Sequence, residues 1–428
     1  MSLIGVGFLV FMGLTLVGLE IWLVMGATAL LVVLVEFGRP EMMAVAPQTM
    51  LDGVSGLELA GIPLFILAGE LMNRGGITER LLQLAQAIIG GIRGGLAMVG
   101  VLVNMLMAGV SGSAVADSSA TASVLLPTMR RDGYDPDYSA ALIGAAATIG
   151  PIIPPSIPFI VFGALTQVSV AKLFLAGVAP GALMGASLLA VAWWIARRAG
   201  HPVSPFPGLA HAPRLLAQAV VPLFMPVFVI AGVVIGFATV TEIAALAVAY
   251  ALAVGLAVYR SIRLRDLPEI LGAAAKMSAI IMITLATAAA FSWAMTVLQI
   301  GPQLAALITA LDAGPVAVLL MINVLLLLVG CIFEPLPAMV IFVPILMPII
   351  GPLGIDPVHF GLIVVLNLMI GLLSPPVGLN LYITASIAGR PVEAVIRKVL
   401  PFFAALVAVL LLCTLWPGFV LFLPDLVR

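Results

Sequence analysis

The sequence predicts an all-α polytopic membrane protein made of two inverted repeats, each with about five spans, a re-entrant hairpin and a broken helix. Three observations carry that prediction. The composition is too apolar for water, Gly and Pro recur at one constant offset, and the same Pro-Pro break interrupts two apolar spans.

Composition sets the class. The chain has 428 residues, 63% of them hydrophobic and 9% charged, with a mean hydropathy of +1.28; a soluble domain of this size needs far more polar surface. The runs at 3–19, 220–238 and 402–415 carry no charge and that at 22–37 only Glu36, and a span takes about 20 mostly apolar residues. Continuous runs rather than alternation imply helices, not a barrel. The N-terminus lacks the basic residues of a secretory signal, so the first run is expected to stay as a membrane helix. Two cysteines, Cys331 and Cys413, make no disulfide framework or cysteine-rich metal site. A net charge of −1 gives no nucleic-acid signature. The absence of a Walker loop, an HExxH motif and a Gly-rich nucleotide fingerprint argues against an ATP-driven pump and against an enzyme.

The repeat organises the chain. An offset of 221 matches Gly109 with Gly330, Pro127 with Pro348, Asp135-Pro136 with Asp356-Pro357, Gly150 with Gly371, and Pro154-Pro155 with Pro375-Pro376. These residues set backbone geometry, so a fold is duplicated. The first repeat is read as 1–196, with a hairpin at 94–128 and a broken span at 138–170. A Pro-rich, basic cytoplasmic linker follows at 197–214, and the second repeat, 215–428, has its hairpin at 315–349 and its broken span at 358–388. Each hairpin limb is about 15 residues, too short to cross comfortably, so the segment enters and leaves on one side. Its tips are "VSGSA" (110–114) and "GCIFEPLPA" (330–338). Five crossings per half is an odd number, so the second half must be inserted upside down. That topology places fifteen Lys and Arg inside and three (Arg39, Lys172, Arg428) outside, and puts both termini outside. The flanks of the second hairpin, near Asp312 and Asp356, then lie outside and lack basic residues.

Irregular backbone at membrane depth survives only inside protein or beside a polar cavity, so each break marks a candidate site. Freed carbonyls can ligate a cation, and the half-helix that follows can favour an anion. The first site combines Ser111, Gly112 and Ser113 of the hairpin tip with carbonyls around Gly150, Ile153 and Pro155; neutral oxygens suit a hard monovalent cation. The second combines Gly330 and Glu334 with Gly371, Ser374 and Val377. The bland alternative is that Pro-Pro merely kinks a helix and the hydroxyls bond their own turn. Asp117 is an intramembrane carboxylate, read either as a cap on the second hairpin limb or as a site residue holding cation, substrate or proton. Thr121 shares its helix face, and Asn380 and Thr384 follow the second break; these four are the candidate substrate contacts. Asn367 is expected to bond a neighbouring helix, and His359 to sit at a membrane boundary.

The segments "GVSGSAVADSSA", "GYDPDYSAALIGAAATIGPIIPPSIPFIVFG", "LFLAGVAPG" and "GIDPVHFGLIVVLNLMIGLLSPPVGLNLY" resemble the DctM-type large membrane subunit of tripartite ATP-independent periplasmic (TRAP) transporters, over nearly the whole chain. The resemblance implies sodium-coupled uptake of an organic acid, such as a dicarboxylate, sialic acid or other sugar acid, across the bacterial or archaeal inner membrane. It implies a periplasmic substrate-binding protein (DctP type) and a small membrane subunit (DctQ type) as a separate chain. It also implies an elevator motion of the hairpins and broken helices against a scaffold. Carried over, one Na⁺ site falls at Ser111, Ser113, Gly150, Ile153 and Pro155 and the other at Gly330, Glu334, Gly371, Ser374 and Val377. Ser374 stands where Thr is usual and Glu334 where Asp is common; both keep an oxygen ligand.

Three other readings remain. A stand-alone ion-coupled carboxylate carrier of the related elevator superfamily would show uptake without a binding protein. A mere membrane anchor needs no costly mid-membrane breaks. A channel suits inverted repeats with re-entrant hairpins less well than alternating access does.

Overall fold

A computed structural model describes residues 3–201, 203, 212–300, 303, 314–375 and 377–426. Asp312, Pro376, Arg428 and half of the expected linker (202 and 204–211) lie outside the described residues. All regular structure among the described residues is helical.

The first two apolar runs become α1 (Leu3–Leu16) and α2 (Ile21–Phe37). Gly18 and Gly38 follow them at φ +85 and +59, a backbone region that ends a helix at little cost only for glycine. The expected third span is not one rod. It is split into α3 (Val45–Val54) and α4 (Gly61–Arg74), and the chain bends by 63° between them, at Ser55-Gly56. Both pieces pack on α13 (Leu267–Val297), and α4 also on α12 (Val240–Ala253). The α3–α13 approach is close: a Cβ at Gly53 would stand 2.3 Å from that of Ala289. Four helices, Val170–Ala199, Val240–Val258, Leu264–Val297 and Val392–Leu415, are long and apolar enough to cross a membrane, and the bent pair makes a fifth. Among the described residues, helix length and composition therefore mark fewer full spans than the ten expected.

The amphipathic α5 (Ile77–Ile89) buries Ile77, Leu81, Leu84 and Ala85 on one face. It leads into a helical hairpin, α6 (Gly95–Ser111) and α7 (Ala114–Arg131), joined by Gly112 and Ser113 alone. Then come α8 (Pro136–Ala147), an irregular stretch, and α9 (Ile157–Thr166). The long α10 (Val170–Ala199) ends with Arg197 and Arg198 stacked over Trp193 and Trp194 at 4.0 and 4.2 Å. Helicity continues to residue 199 and resumes with α11 (Ala212–Ile235), so both ends of the expected linker are helical. A second hairpin is formed by α14 (Pro315–Gly330) and α15 (Pro335–Ile350), followed by α16 (Pro357–Gly371), a second break, and α17 (Leu379–Ala388). The chain closes with α18 (Val392–Leu415) and α19 (Pro417–Asp425).

The two Asp-Pro pairs do the same job. Asp135 caps α8 by accepting from Asp137 N at 3.0 Å, and Asp356 caps α16 by accepting from Val358 N and His359 N at 2.7 and 3.1 Å. In each case Pro fills the first helical position, where no N–H is needed. Polar pairs then tie distant segments. The Arg390 guanidinium grips the Asp137 carboxylate with two bonds, 2.5 and 3.0 Å, and Lys398 pairs with Asp135 at 2.7 Å. Asn367 donates to Asn323 at 2.8 Å, and Asn323 to Thr414 at 2.9 Å, joining α14, α16 and α18 as expected of a buried amide between helices. His359 lies in the first turn of α16. It is buried at 2% exposure and bonded to the Cys413 carbonyl at 2.8 Å.

Candidate functional site

The first hairpin tip meets the first break directly. Gly112 turns the chain at φ +60, and a Cβ there would lie 2.7 Å from the Pro155 carbonyl oxygen, so only glycine permits the approach. Ser113 caps α7, accepting from Ala116 N at 3.4 Å. Ser111 Oγ donates to Asp117 Oδ1 at 2.5 Å and accepts from Ser113 N at 3.2 Å. Asp117 is fully buried. Its other oxygen, Oδ2, has no hydrogen-bond partner and faces Gly150, where a Cβ would be only 2.3 Å away. The carboxylate thus braces the tip and presents one bare oxygen to the break. The tip N–H groups of Ser113 and Ala116 are captured by Ser111 and Ser113, so Asp117 does not cap the second limb through backbone bonds.

The break is held by its own turn and by α10. Ser156 caps α9, donating to the Pro151 carbonyl and accepting from Phe159 N at 3.3 Å. Gly177 of α10 lies against the Ile152 carbonyl, where a Cβ would be 2.1 Å away, and Gly181 lies against the Ile153 side chain. Ile153 therefore packs on α10 within the turn that contains Gly150 and Pro155. The unwound backbone is enclosed by protein, as membrane depth demands.

The second hairpin meets the second break by bare backbone. Gly330 and Gly371 lie against each other: a Cβ on Gly371 would come 2.6 Å from both Cα and C of Gly330. Ser374 is buried behind this contact, while Val377 is 39% exposed. Glu334 stands at the N-cap of α15 in extended conformation with no side-chain cap bond.

Both tips open on one cavity of about 140 Å³. Residues 111–116 and 334–337 line it, together with Pro151, Ile157 and Pro158 at the first break and Glu70, Asn73 and Thr284 on α4 and α13. The first turns of α7, α9 and α15 thus converge there; the positive ends of the α7 and α9 dipoles favour an anion, whereas α15 opens with the acid Glu334 and with Pro335 and Pro337, which have no N–H. No Lys or Arg is among the lining residues.

Of the candidate cation ligands, Ser111, Gly112, Ser113 and Glu334 reach this cavity, and Gly150, Ile153, Pro155, Gly330, Gly371, Ser374 and Val377 do not line it. None of the four candidate substrate contacts lines it. Asp117 is behind the tip. Thr121 donates to the Asp117 carbonyl at 2.6 Å and lies 3.4 Å from the Asn104 amide. Asn380 Nδ2 donates to the Gly144 carbonyl at 3.4 Å, and Thr384 Oγ1 lies where a Gly144 Cβ would be 3.3 Å away, so both seat α17 on α8. Sequence reading missed Asn104, which carries no charge to flag it, and Glu70, which does: an acid inside the apolar run of α4 is the same signal that singled out Asp117.

The family profile described as the tripartite ATP-independent periplasmic transporter, DctM component, matches residues 8–419. The 2,3-diketo-L-gulonate TRAP transporter large permease protein YiaN of Escherichia coli is 37% identical over 424 residues, covering 98% of this chain and 97% of the relative. The C4-dicarboxylate TRAP transporter large permease protein DctM of Pseudomonas aeruginosa is 40% identical over 367 residues, 86% of each. Among solved structures, the YdaH transporter of Alcanivorax borkumensis superposes with a TM-score of 0.64 at 16% identity, covering 89% of this chain and 90% of that one. That likeness speaks to the fold.

Proposed function

Because the chain belongs to the DctM-component family of TRAP transporters, as a large membrane permease and not an enzyme, we propose that it carries an organic acid inward, driven by two sodium ions. Sodium would be held at Ser111, Gly112, Ser113, Gly150, Ile153 and Pro155, and at Gly330, Glu334, Gly371, Ser374 and Val377. The observation that carries the reading is the single cavity between two hairpin tips, backed by a buried carboxylate with one bare oxygen turned to the first break. Main-chain carbonyls and hydroxyls there are ligands a hard monovalent cation takes. The substrate carboxylate would rest on the amides of Ala114 and Val115 in the first turn of α7, its charge balanced by helix ends and bound sodium rather than by a basic side chain.

Alternating access would move the hairpins and broken helices, as one body, past the wall made by α4, α12 and α13. A periplasmic binding protein would deliver the acid, and a small membrane subunit would brace the wall. The chain would lie in the inner membrane as two oppositely inserted halves, divided near 197–214, with both termini periplasmic. Relatives named for a diketogulonate and for C4-dicarboxylates support an acid as cargo.

Proteoliposomes holding the complete transporter test this. The initial uptake rate should rise steeply with external sodium, and Ser113→Leu should abolish that rise while leaving insertion intact. A rate indifferent to sodium refutes the coupling, and full uptake without a binding protein favours the stand-alone carrier.

A further inference from the structure

The wall of the cavity opposite the hairpin tips carries Glu70 and Asn73, three residues apart on one face of α4. Neither is spent on the fold. Among the described residues the half-buried Glu70 side chain makes no hydrogen bond or ion pair, and Asn73 Oδ1 is buried with no partner. The natural partner for Glu70 one turn on, Arg74, is turned to Glu269 at 2.6 Å instead. Thr284, the α13 hydroxyl that lines the cavity, donates to its own turn at Ile280. An acid inside an apolar helix, with a bare amide oxygen beside it and no cation on the cavity wall, is costly unless a ligand completes it.

The cavity is therefore two-sided. One side, the first turns of α7 and α9, suits a carboxylate, while Glu334 at the head of α15 is assigned to sodium in the function proposed above. The other has acceptors: an ionised carboxylate takes hydrogen bonds at both oxygens, and an amide oxygen takes two more. Such a wall recruits hydroxyl donors and repels a second carboxylate. Resting on the function proposed above, we infer that Glu70 and Asn73 are specificity-determining residues that bind the hydroxyls of a polyhydroxylated monocarboxylate, and that they reject unhydroxylated dicarboxylates.

The test uses the purified full chain in lipid nanodiscs with sodium, reading thermal stabilisation against titrated gluconate, succinate and β-alanine. Gluconate should act at concentrations roughly ten-fold or more below succinate, since a site built to bond a hydroxyl discriminates strongly against a ligand lacking it. Glu70→Gln should weaken gluconate by about ten-fold and strengthen succinate, because the repelling charge is gone while the volume is kept. Asn73→Ala should weaken gluconate alone. The inference is overturned if succinate or β-alanine outperforms gluconate on the unaltered chain, a comparison that needs no variant to fold, or if Glu70→Gln shifts gluconate and succinate alike. In those cases an acid still binds and the transport reading stands. Stabilisation by none of the three, together with no sodium-dependent uptake, removes that reading and this inference with it.

Discussion

The two hairpin–break units share an architecture and differ in how they close. In the first, the tip is held by a side chain: Ser111 donates to Asp117, and the fully buried acid faces Gly150. In the second, Gly330 and Gly371 touch backbone to backbone, and the carboxylate of the tip, Glu334, stands out at the shared cavity. Matched glycines thus do unlike work. The first makes room for a charge and the second for another peptide, so the first unit is the one whose chemistry a single side chain can switch, and the second the one whose geometry cannot yield.

Substitutions can break that contrast. The largest effect is expected at Gly371→Ala, whose methyl would drive backbone into backbone at 2.6 Å; overpacking of this kind costs about 1–3 kcal/mol or more, and the protein should fail to appear as a monodisperse species on size exclusion. Gly150→Ala should be milder, since its methyl meets the Asp117 carboxylate, which can swing aside; tolerance of both alike would erase the distinction.

Asp117→Asn sharpens it from the other side. Under the proposed coupling it should remove most of the stabilisation that sodium gives over potassium in a thermal melt, whereas Glu334→Gln should leave a larger share. Ser111→Ala takes away the donor to a buried carboxylate, and leaving such an acceptor unmet costs about 1–3 kcal/mol; its melting temperature should fall with or without sodium.

The smallest effect belongs to the loop ahead of α8. Burial alone would raise the Asp135 carboxyl, but the Lys398 ammonium and the Asp137 N–H outweigh it and hold the group below its usual range. A carboxyl so depressed contributes stability that is complete above the unfolded value, about 3.9, and that is lost as pH falls through the lower folded value. Lys398→Ala should therefore melt slightly lower than the unaltered chain at pH 7, and the gap should close as pH drops below about 4. The pair is about half exposed, so the gap is expected to be small.

Gly and Pro made much of this legible. Residues that forbid or permit a dihedral write their effect locally, so the helix interruptions at 112–113, 148–156, 331–334 and 372–378 fall where the sequence concentrates Gly, Pro and Ser. Lateral packing could not be read this way. Asn380 and Thr384 were read as cavity groups because they follow a break, yet they lie on α8, and Thr121 is met by Asn104 from the facing limb. Which side of a helix meets which neighbour depends on residues far away in sequence, and in a chain this apolar no hydrophobic stripe separates inside from outside.

By itself the sequence determined that the chain is a helical membrane protein, where its helices must stop, and which glycines leave room for close approach, because composition and backbone dihedrals are local quantities. Only the tertiary structure decided that α3 and α4 part at 63°, that one cavity serves both tips, and that Glu70 and Asn73 form its far wall. Those outcomes are set by helices meeting across more than two hundred residues of chain, where the balance of packing and unmet polar groups is struck between surfaces that no short window contains.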